Sequence, residues 1–331
     1  MSVFRAIRID RDDQSQSVSY VDMRPEELME GDVEIDVTHS AINYKDGLAI
    51  TGKGPVVRRF PMIPGVDLAG RVLRSERPDF SPGDSVVATG CGLGEAHYGG
   101  FAERARLNGD WLVKLPPALT PARAMTVGTA GLTAMLCVLA LERHGLTPDA
   151  GAAVVTGAAG GVGSFAVALL ARAGWRVAAV TGRAEEEGDY LRACGATDIL
   201  ARAEFADPGK PLQKQRFAAG IDTVGGVTLA NILSQTQFDG AIAACGNVGG
   251  MELPTNVAPF ILRGVSLLGV ESVRPRIALR REAWARIAAD LDGAMIDEMS
   301  EIIPFAAALE RARAIVNGKI RGRVVIEMGR S

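Results

Sequence analysis

The segment Val154-Val155-Thr156-Gly157-Ala158-Ala159-Gly160-Gly161-Val162-Gly163 decides how this chain folds. It starts in Ala152–Thr156 (AAVVT), a continuous apolar run of strand length, and leads into Ser164–Ala173, an Ala- and Leu-rich stretch that reads as a helix. Ala158, Gly160 and Gly163 stand at the spacing of the dinucleotide fingerprint G-x-G-x-x-G, with alanine in place of the first glycine. Glycine at 160 lets the backbone approach a pyrophosphate, and glycine at 163 lets the helix lie close to the strand. The helix start adds N–H groups without intrahelical acceptors and a partial positive charge. Any strand that reverses into a helix also favours a glycine-rich turn, so the motif by itself is weak. Here strand, turn, helix and a further strand follow in order, and that context points to a dinucleotide. No G-x-x-x-x-G-K-[ST] motif is present, which argues against a nucleotide triphosphatase.

Downstream, the alternation continues. Arg176–Thr181 reads as the next strand, Glu185–Cys194 as a helix, and Asp198–Leu200, Gly220–Val224 and Gly240–Ala244 as further strands, with Val265–Val270 (VSLLGV) as the last. Strands and helices alternating over short links predict a parallel, doubly wound α/β sheet. The end of the second strand bears on the cofactor. An NAD site usually places an acidic residue about 20 residues past the glycine turn, on the ribose hydroxyls. This chain has Thr181-Gly182-Arg183 there and no acid. A carboxylate would repel a 2′-phosphate, whereas Thr181 can donate a hydrogen bond, Arg183 offers a charged fork, and Arg202 can clamp the same group. This favours NADPH. The plainer alternative makes Arg183 and Arg202 solvated surface arginines.

Upstream, the pattern is different. Val33–Val37 (VEIDV) alternates in the manner of a strand, Ser85–Ala88 follows the turn Ser81-Pro82-Gly83-Asp84, and Pro61, Pro64 and Gly65 mark a loop. The first part therefore reads as a β-rich domain. Thr120 is a candidate N-cap with Pro121 at the first helical position, and Thr129–Leu141 reads as another helix. Late in the chain, Ala283–Asp292 reads as a helix and Arg323–Glu327 (RVVIE) as a strand returning to the first domain, so that the cofactor domain is an insertion. A length of 331 residues suits two domains. A net charge of −3 gives no basic excess for nucleic acid. Cys91, Cys137, Cys194 and Cys245 form no C-x-x-C pair, which disfavours a zinc ribbon or redox dithiol and suits free thiols in a reducing compartment. No 18-residue apolar run free of charges and turns is expected, and MSVFRAIRID lacks the apolar stretch of a secretory signal. No membrane span and a cytoplasmic location are the expectation.

Several segments together carry a resemblance that covers nearly the whole chain. They are Asn43-Tyr44-Lys45-Asp46, Thr51-Gly52-Lys53-Gly54, Phe60-Pro61-Met62-Ile63-Pro64-Gly65, Gly128-Thr129-Ala130-Gly131 with Thr133-Ala134-Met135-Leu136-Cys137, Val154–Gly163, Ile221-Asp222-Thr223-Val224-Gly225 and Pro259-Phe260-Ile261-Leu262-Arg263. With these the sequence resembles the acrylyl-CoA reductase (AcuI/YhdH) branch of the quinone-oxidoreductase-like medium-chain dehydrogenases. The resemblance implies a GroES-like catalytic domain over 1–124, a Rossmann NADPH-binding domain over 125–262, and a stretch 263–331 with the last Rossmann strands and the return to the catalytic domain. It implies a cofactor cleft between the domains and NADPH-dependent reduction of acryloyl-CoA to propionyl-CoA. It further implies cofactor contacts at Tyr44, Ala159, Gly160, Gly161, Val162, Thr181, Gly182, Arg183 and Arg202, with Asn247, Ile261, Ser272 and Asn317 as weaker carry-overs. Asn247 departs from the apolar residue expected there.

The zinc enzymes of that superfamily hold metal with Cys, His and a carboxylate or second Cys. Here Asn43-Tyr44-Lys45-Asp46 and Pro64-Gly65-Val66-Asp67 stand where the first cysteine and the His-Glu would be, and the structural cysteine lobe is missing. His39, His97 and Asp67 are not spaced as a ligand set, and His97, before Tyr98-Gly99-Gly100, reads as a loop or structural residue. Metal-free conjugate reduction follows as the expected chemistry. Tyr44 is the lead active-site residue, as proton donor or as a group that positions the cofactor. Asn43 either donates to a thioester oxygen or caps a turn, and Lys45 and Asp46 read as a local structural pair. Arg58 and Arg59, or a second cluster of Lys319, Arg321 and Arg323, are candidates for the CoA phosphates, against solvated charges as the plainer reading. A quinone or enone/alkenal reductase and a non-catalytic NADPH- or RNA-binding relative are the alternatives. A homodimer is expected through Val265–Val270, if that strand lies at a sheet edge.

Overall fold

A computed structural model of the chain describes residues 3–12, 15–318 and 320–329. The chain forms two compact units. The first comprises 1–129, 273–288 and 292–331, and the second 130–272 and 289–291.

In the first unit β1 (Phe4–Arg11) and β2 (Gln16–Met23) pair antiparallel. The next elements are β3 (Val33–Ile42), α1 (Tyr44–Thr51), β4 (Asp67–Ser75), β5 (Ser85–Thr89), β6 (Arg104–Leu107) and β7 (Val113–Lys114). The alternation at the start of β3 does what its period predicts: Val33, Ile35 and Val37 are buried, while Glu34 and Asp36 are less so. α1 was not anticipated. It starts at Tyr44 with Asn43 as N-cap and ends at Gly52, whose φ of 66° is the left-handed C-terminal geometry glycine favours.

α2 (Pro121–Arg143) carries the chain into the second unit. Thr120 Oγ1 accepts from Arg123 N at 3.2 Å, as the cap reading requires. The helix breaks at Gly128 (φ 47°, ψ −155°), which divides it near the predicted start at Thr129. The expectation about apolar runs needs correction here. An 18-residue window of α2 reaches a mean hydropathy of 1.9, long and apolar enough to cross a membrane, but 89% of that window is buried in the protein. Helix–core contact explains this hydrophobicity.

The second unit contains β8 (Ala152–Thr156), α3 (Gly161–Arg172), β9 (Arg176–Thr181), α4 (Ala184–Ala193), β10 (Asp198–Ala201), β11 (Phe217–Asp222), α5 (Gly226–Ser234), β12 (Thr236–Ala244), α6 (Ala258–Arg263) and β13 (Ser266–Gly269). The strands, all parallel, are ordered β10-β9-β8-β11-β12-β13. That is the doubly wound order, with its topological switch between β8 and β11. β13 lies at the sheet edge.

The chain then returns to the first unit as α7 (Ile277–Asp290), α8 (Gly293–Glu298), β14 (Ser300–Pro304), α9 (Ala308–Ile315) and β15 (Arg323–Glu327). β15 inserts between β14 and β3, so the last strand of the chain completes the first unit's sheet. Ile42, Leu68, Val324 and Ile326 are buried in the core around it.

Candidate cofactor and active site

In the second unit the glycine turn lies at the switch point. Thr156 at the end of β8 donates from Oγ1 to Asp222 Oδ1 at 2.6 Å, and Thr223 Oγ1 donates to the Thr156 carbonyl at 2.9 Å. Asp222 Oδ2 accepts from Gly225 N at 2.7 Å. This buried carboxylate thus ties together the two turns that flank the crevice; burial raises its pKa, against the hydrogen bonds from Thr156 and Gly225. Sequence reasoning did not single out Asp222, although Ile221–Gly225 contains it.

The turn corrects one detail of the fingerprint. The left-handed residue is Gly157 (φ 59°), not Ala158, so the tight-turn role of the first glycine falls one position earlier. That shift is why alanine is accepted at 158, where it is fully buried. Gly163 has no room for a side chain: a Cβ there would lie 2.3 Å from the Gly157 carbonyl oxygen and 2.6 Å from Ala158 Cα. Gly160 is the N-cap of α3, and Gly161, Val162 and Gly163 form the first helical turn, whose N–H groups have no intrahelical acceptor. Ala159 is buried beside them.

At the end of β9, Thr181, Gly182, Arg183 and Arg202 come together. Arg202 follows β10, and its guanidinium lies over Gly182, where a Cβ would be 3.0 Å from its central carbon. Arg183 is the N-cap of α4, and its N–H donates to Thr181 Oγ1 at 3.1 Å. Its guanidinium also pairs with Glu187 at 3.4 Å, a contact the sequence did not suggest. Two guanidinium groups and a hydroxyl, around a glycine and with no acid at the strand end, fit the 2′-phosphate of NADPH.

Tyr44 opens α1 in the first unit and is 43% exposed. Asn43 before it is the N-cap of α1 by position, with no cap bond from its side chain. Its N–H donates to Asp46 Oδ2 at 2.8 Å, its amide nitrogen donates to Asp67 Oδ2 at 2.8 Å, and its amide oxygen accepts from Arg323 Nη1 at 3.0 Å. The amide nitrogen also reaches the Ala41 carbonyl at 3.4 Å. The Lys45–Asp46 pair is corrected too. Lys45 reaches Glu95 at 2.8 Å, while Asp46 is buried and its Oδ1 accepts from Gly65 N and Val66 N at 3.1 and 3.0 Å.

Burial pushes the Asp46 carboxyl up to about 7, with the nearby Asp67 adding to the rise. A carboxyl raised above its unfolded value contributes its stability in the protonated form. That contribution is complete below the unfolded pKa of about 4 and is lost as pH rises through about 7. The native protein is therefore expected to gain on the order of 2 kcal/mol over Asp46→Asn between pH 8 and pH 5. Urea unfolding of both proteins at the two pH values measures this, and a pH-independent difference would refute it.

Arg58 and Arg59 diverge. Arg58 leans on Glu95 at 3.7 Å, whereas Arg59 lines a cavity of about 720 Å³ with Trp111, His97, Asn108 and Met29. His97 faces the Tyr98 and Glu30 carbonyls and packs edge-on against Trp111, a structural role. In the second basic cluster, Lys319 lies outside the described residues and Arg321 is exposed. Arg323 does not belong to that cluster: it is 4% exposed and paired with Asp67. Asn247 is exposed beyond β12, Ile261 is 72% exposed on α6, and Ser272 ends the second unit's long segment. Asn317 follows α9, which packs on α1 so closely that a Cβ at Gly47 would meet Ile315. Among the described residues no three His, Cys, Asp or Glu side chains gather as a metal-ligand set.

The chain matches the family models "Alcohol dehydrogenase GroES-like domain" over residues 29–117 and "Zinc-binding dehydrogenase" over 161–289. It is 49% identical to the "Probable acrylyl-CoA reductase AcuI" of Escherichia coli, covering 98% of this chain and 99% of that protein. It is 46% identical to the acrylyl-CoA reductase AcuI of Ruegeria pomeroyi over the same shares of the two chains. Among solved structures, the YhdH oxidoreductase of Salmonella enterica in complex with NADP aligns at a TM-score of 0.95 with 50% identity, covering 98% of this chain and 100% of that one. Matched along almost its full length in sequence and in fold, the chain belongs to the acrylyl-CoA reductase (AcuI/YhdH) branch of the medium-chain dehydrogenases.

Proposed function

We propose that this protein reduces acryloyl-CoA to propionyl-CoA with NADPH and a proton, and that the nearly full-length identity to proteins named acrylyl-CoA reductases carries the choice of substrate. The choice of cofactor rests on Arg202 over Gly182 beside Arg183, with no acid at the end of β9. Bound NADPH supplies the hydride that the β-carbon of the acyl group accepts.

The chain's own residues do the rest. Gly160 to Val162 and the start of α3 receive the pyrophosphate. Thr181, Arg183 and Arg202 receive the adenosine phosphate. Tyr44, a phenol on an otherwise rigidly capped helix start, is assigned to the reacting end, where its hydroxyl can donate to charge developing on the thioester oxygen or pass a proton to the α-carbon. Asn43 is assigned to holding Tyr44 rather than to touching substrate. Asn247, Ile261, Ser272 and Asn317 complete the cofactor's surroundings, and Arg58 and Arg59 are assigned to the CoA phosphates. The working form is a homodimer formed through the β13 edge, in the cytoplasm, with no nucleic-acid or membrane partner.

A spectrophotometric assay of NADPH oxidation tests the reading, with acryloyl-CoA, longer enoyl-CoA esters, simple quinones and free enones at equal cofactor. Binding energy from the CoA handle is expected to give acryloyl-CoA a kcat/KM at least about 100-fold above a free enone. A quinone or enone leading the panel would displace this reading in favour of a quinone or enone reductase. NADPH binding without turnover of any substrate would favour a non-catalytic role.

A further inference from the structure

We propose that Arg323 and Asp67 are positioning residues for the reaction: a buried ion pair that sets the direction in which Tyr44 leaves β3. The inference rests on the assignment of Tyr44 to the reacting end. Asn43, immediately before Tyr44, has its N–H held by Asp46 at 2.8 Å, its amide oxygen by Arg323 at 3.0 Å and its amide nitrogen by Asp67 at 2.8 Å. The carbonyl of Ile42 accepts from the same Arg323 nitrogen at 3.3 Å. A single guanidinium therefore holds both residues that precede Tyr44.

The other side of the pair is anchored to α2. Arg323 Nε donates to the Thr126 carbonyl at 3.1 Å. Asp67 accepts from Thr129 Oγ1 at 2.5 Å and Thr129 N at 2.9 Å. The break in α2 makes room for this. A Cβ on Gly128 would lie 2.5 Å from Asp67 Oδ2 and 2.7 Å from Arg323 Nη2, and the left-handed φ at that position is one glycine adopts freely. Asp67 is 0% and Arg323 4% exposed, and their charged atoms are 3.4 Å apart.

Stability alone does not explain such a pair. Desolvating two charges offsets much of their attraction, and apolar residues of similar volume usually fold as well or better. What apolar residues cannot supply is direction. The planar fork of arginine fixes several acceptors at once, which a lysine cannot do. Displacing a reacting group by about 1 Å can cost about 100-fold in rate.

The test uses Arg323→Lys, Asp67→Asn and the apolar double variant Asp67→Leu/Arg323→Met in the full chain. NADPH affinity, hydride transfer to acryloyl-CoA in a single turnover, and amide hydrogen exchange are measured on each. The expected result is a Kd for NADPH within about threefold of native, hydride transfer slower by about 10- to 100-fold, and faster exchange at residues 43–47 with the second unit's sheet unchanged. Should either single variant fail to fold, the double variant removes both partners of the ion pair together and answers the same question. A folded variant with near-native hydride transfer, or with unchanged exchange at 43–47, overturns the proposal. So does a rate loss accompanied by an equal rise in the NADPH Kd, which marks general loosening. If the native protein does not reduce acryloyl-CoA, the functional reading fails, and amide exchange still decides the positioning role.

Discussion

Replacing Arg183 and Arg202 together by alanine is expected to weaken NADPH binding by about 100- to 1,000-fold while NADH binding stays within about threefold of native. Each guanidinium contributes hydrogen bonds to a charged phosphate, at roughly 1.5–2 kcal/mol apiece, and each 1.4 kcal/mol is tenfold in affinity. The two single variants should differ. Arg202 lies over Gly182 and pairs with no carboxylate among the described residues, so its loss removes a contact and little else. Arg183 pairs with Glu187, whose side chain is only 10% exposed. Removing Arg183 leaves that carboxylate near the phosphate without this partner and adds repulsion to the lost contact. Arg183→Ala is therefore expected to be the more damaging single change, and adding Glu187→Gln should recover part of the loss. Titration calorimetry with both dinucleotides measures these differences. Equal weakening of NADPH and NADH, or no change in either, would place the adenosine phosphate elsewhere.

Gly163→Val is expected to abolish dinucleotide binding and to lower stability by about 3 kcal/mol. A Cβ at 163 would meet the Gly157 carbonyl oxygen at 2.3 Å and Ala158 Cα at 2.6 Å. These are backbone atoms that no rotamer change can move, so α3 must separate from the turn, and overpacking of that kind costs about 1–3 kcal/mol or more. Gly160→Ala provides the contrast. Its Cβ would approach the Gly157 oxygen only to 3.2 Å, which a small shift relieves, yet the methyl stands where a pyrophosphate must come close. Near-native thermal unfolding with weakened NADPH binding is expected for Gly160→Ala, and loss of both for Gly163→Val. Unchanged unfolding of Gly163→Val would disprove the close packing of strand and helix.

Much of the second unit could be read from residue order. β8 and β9 have the ends their residues predicted, because a buried parallel strand is a continuous apolar run between turn residues, and that is a local property. The phosphate-binding residues were readable for a similar reason: the turn, the strand end and the start of the next helix are short-range features. The first unit was harder. β1, β2 and α1 went unread, since α1 has only eight residues and its start depends on a cap held partly by distant groups. Arg323 was grouped with Lys319 and Arg321 as a basic patch because neighbours in sequence look like neighbours in space. An arginine directly before the apolar run Val324-Val325-Ile326, and a lone aspartate in Val66-Asp67-Leu68-Ala69, were the available signs that the two charges would be buried together.

By itself the sequence determined the parallel sheet, the glycine turn and the missing acid at the end of the second strand, and so the class of cofactor the chain can hold. These depend on hydrophobic period, backbone freedom and charge over a few residues. Only the tertiary structure decided that Gly157 rather than position 158 makes the turn, that Arg202 reaches Gly182 and Arg183 reaches Glu187, and that Asp67 and Arg323, 256 residues apart, close around Asn43. The reason is physical. The free energy of a buried charge depends on which partners surround it, and those partners come from strands that meet only when the sheet of the first unit is complete.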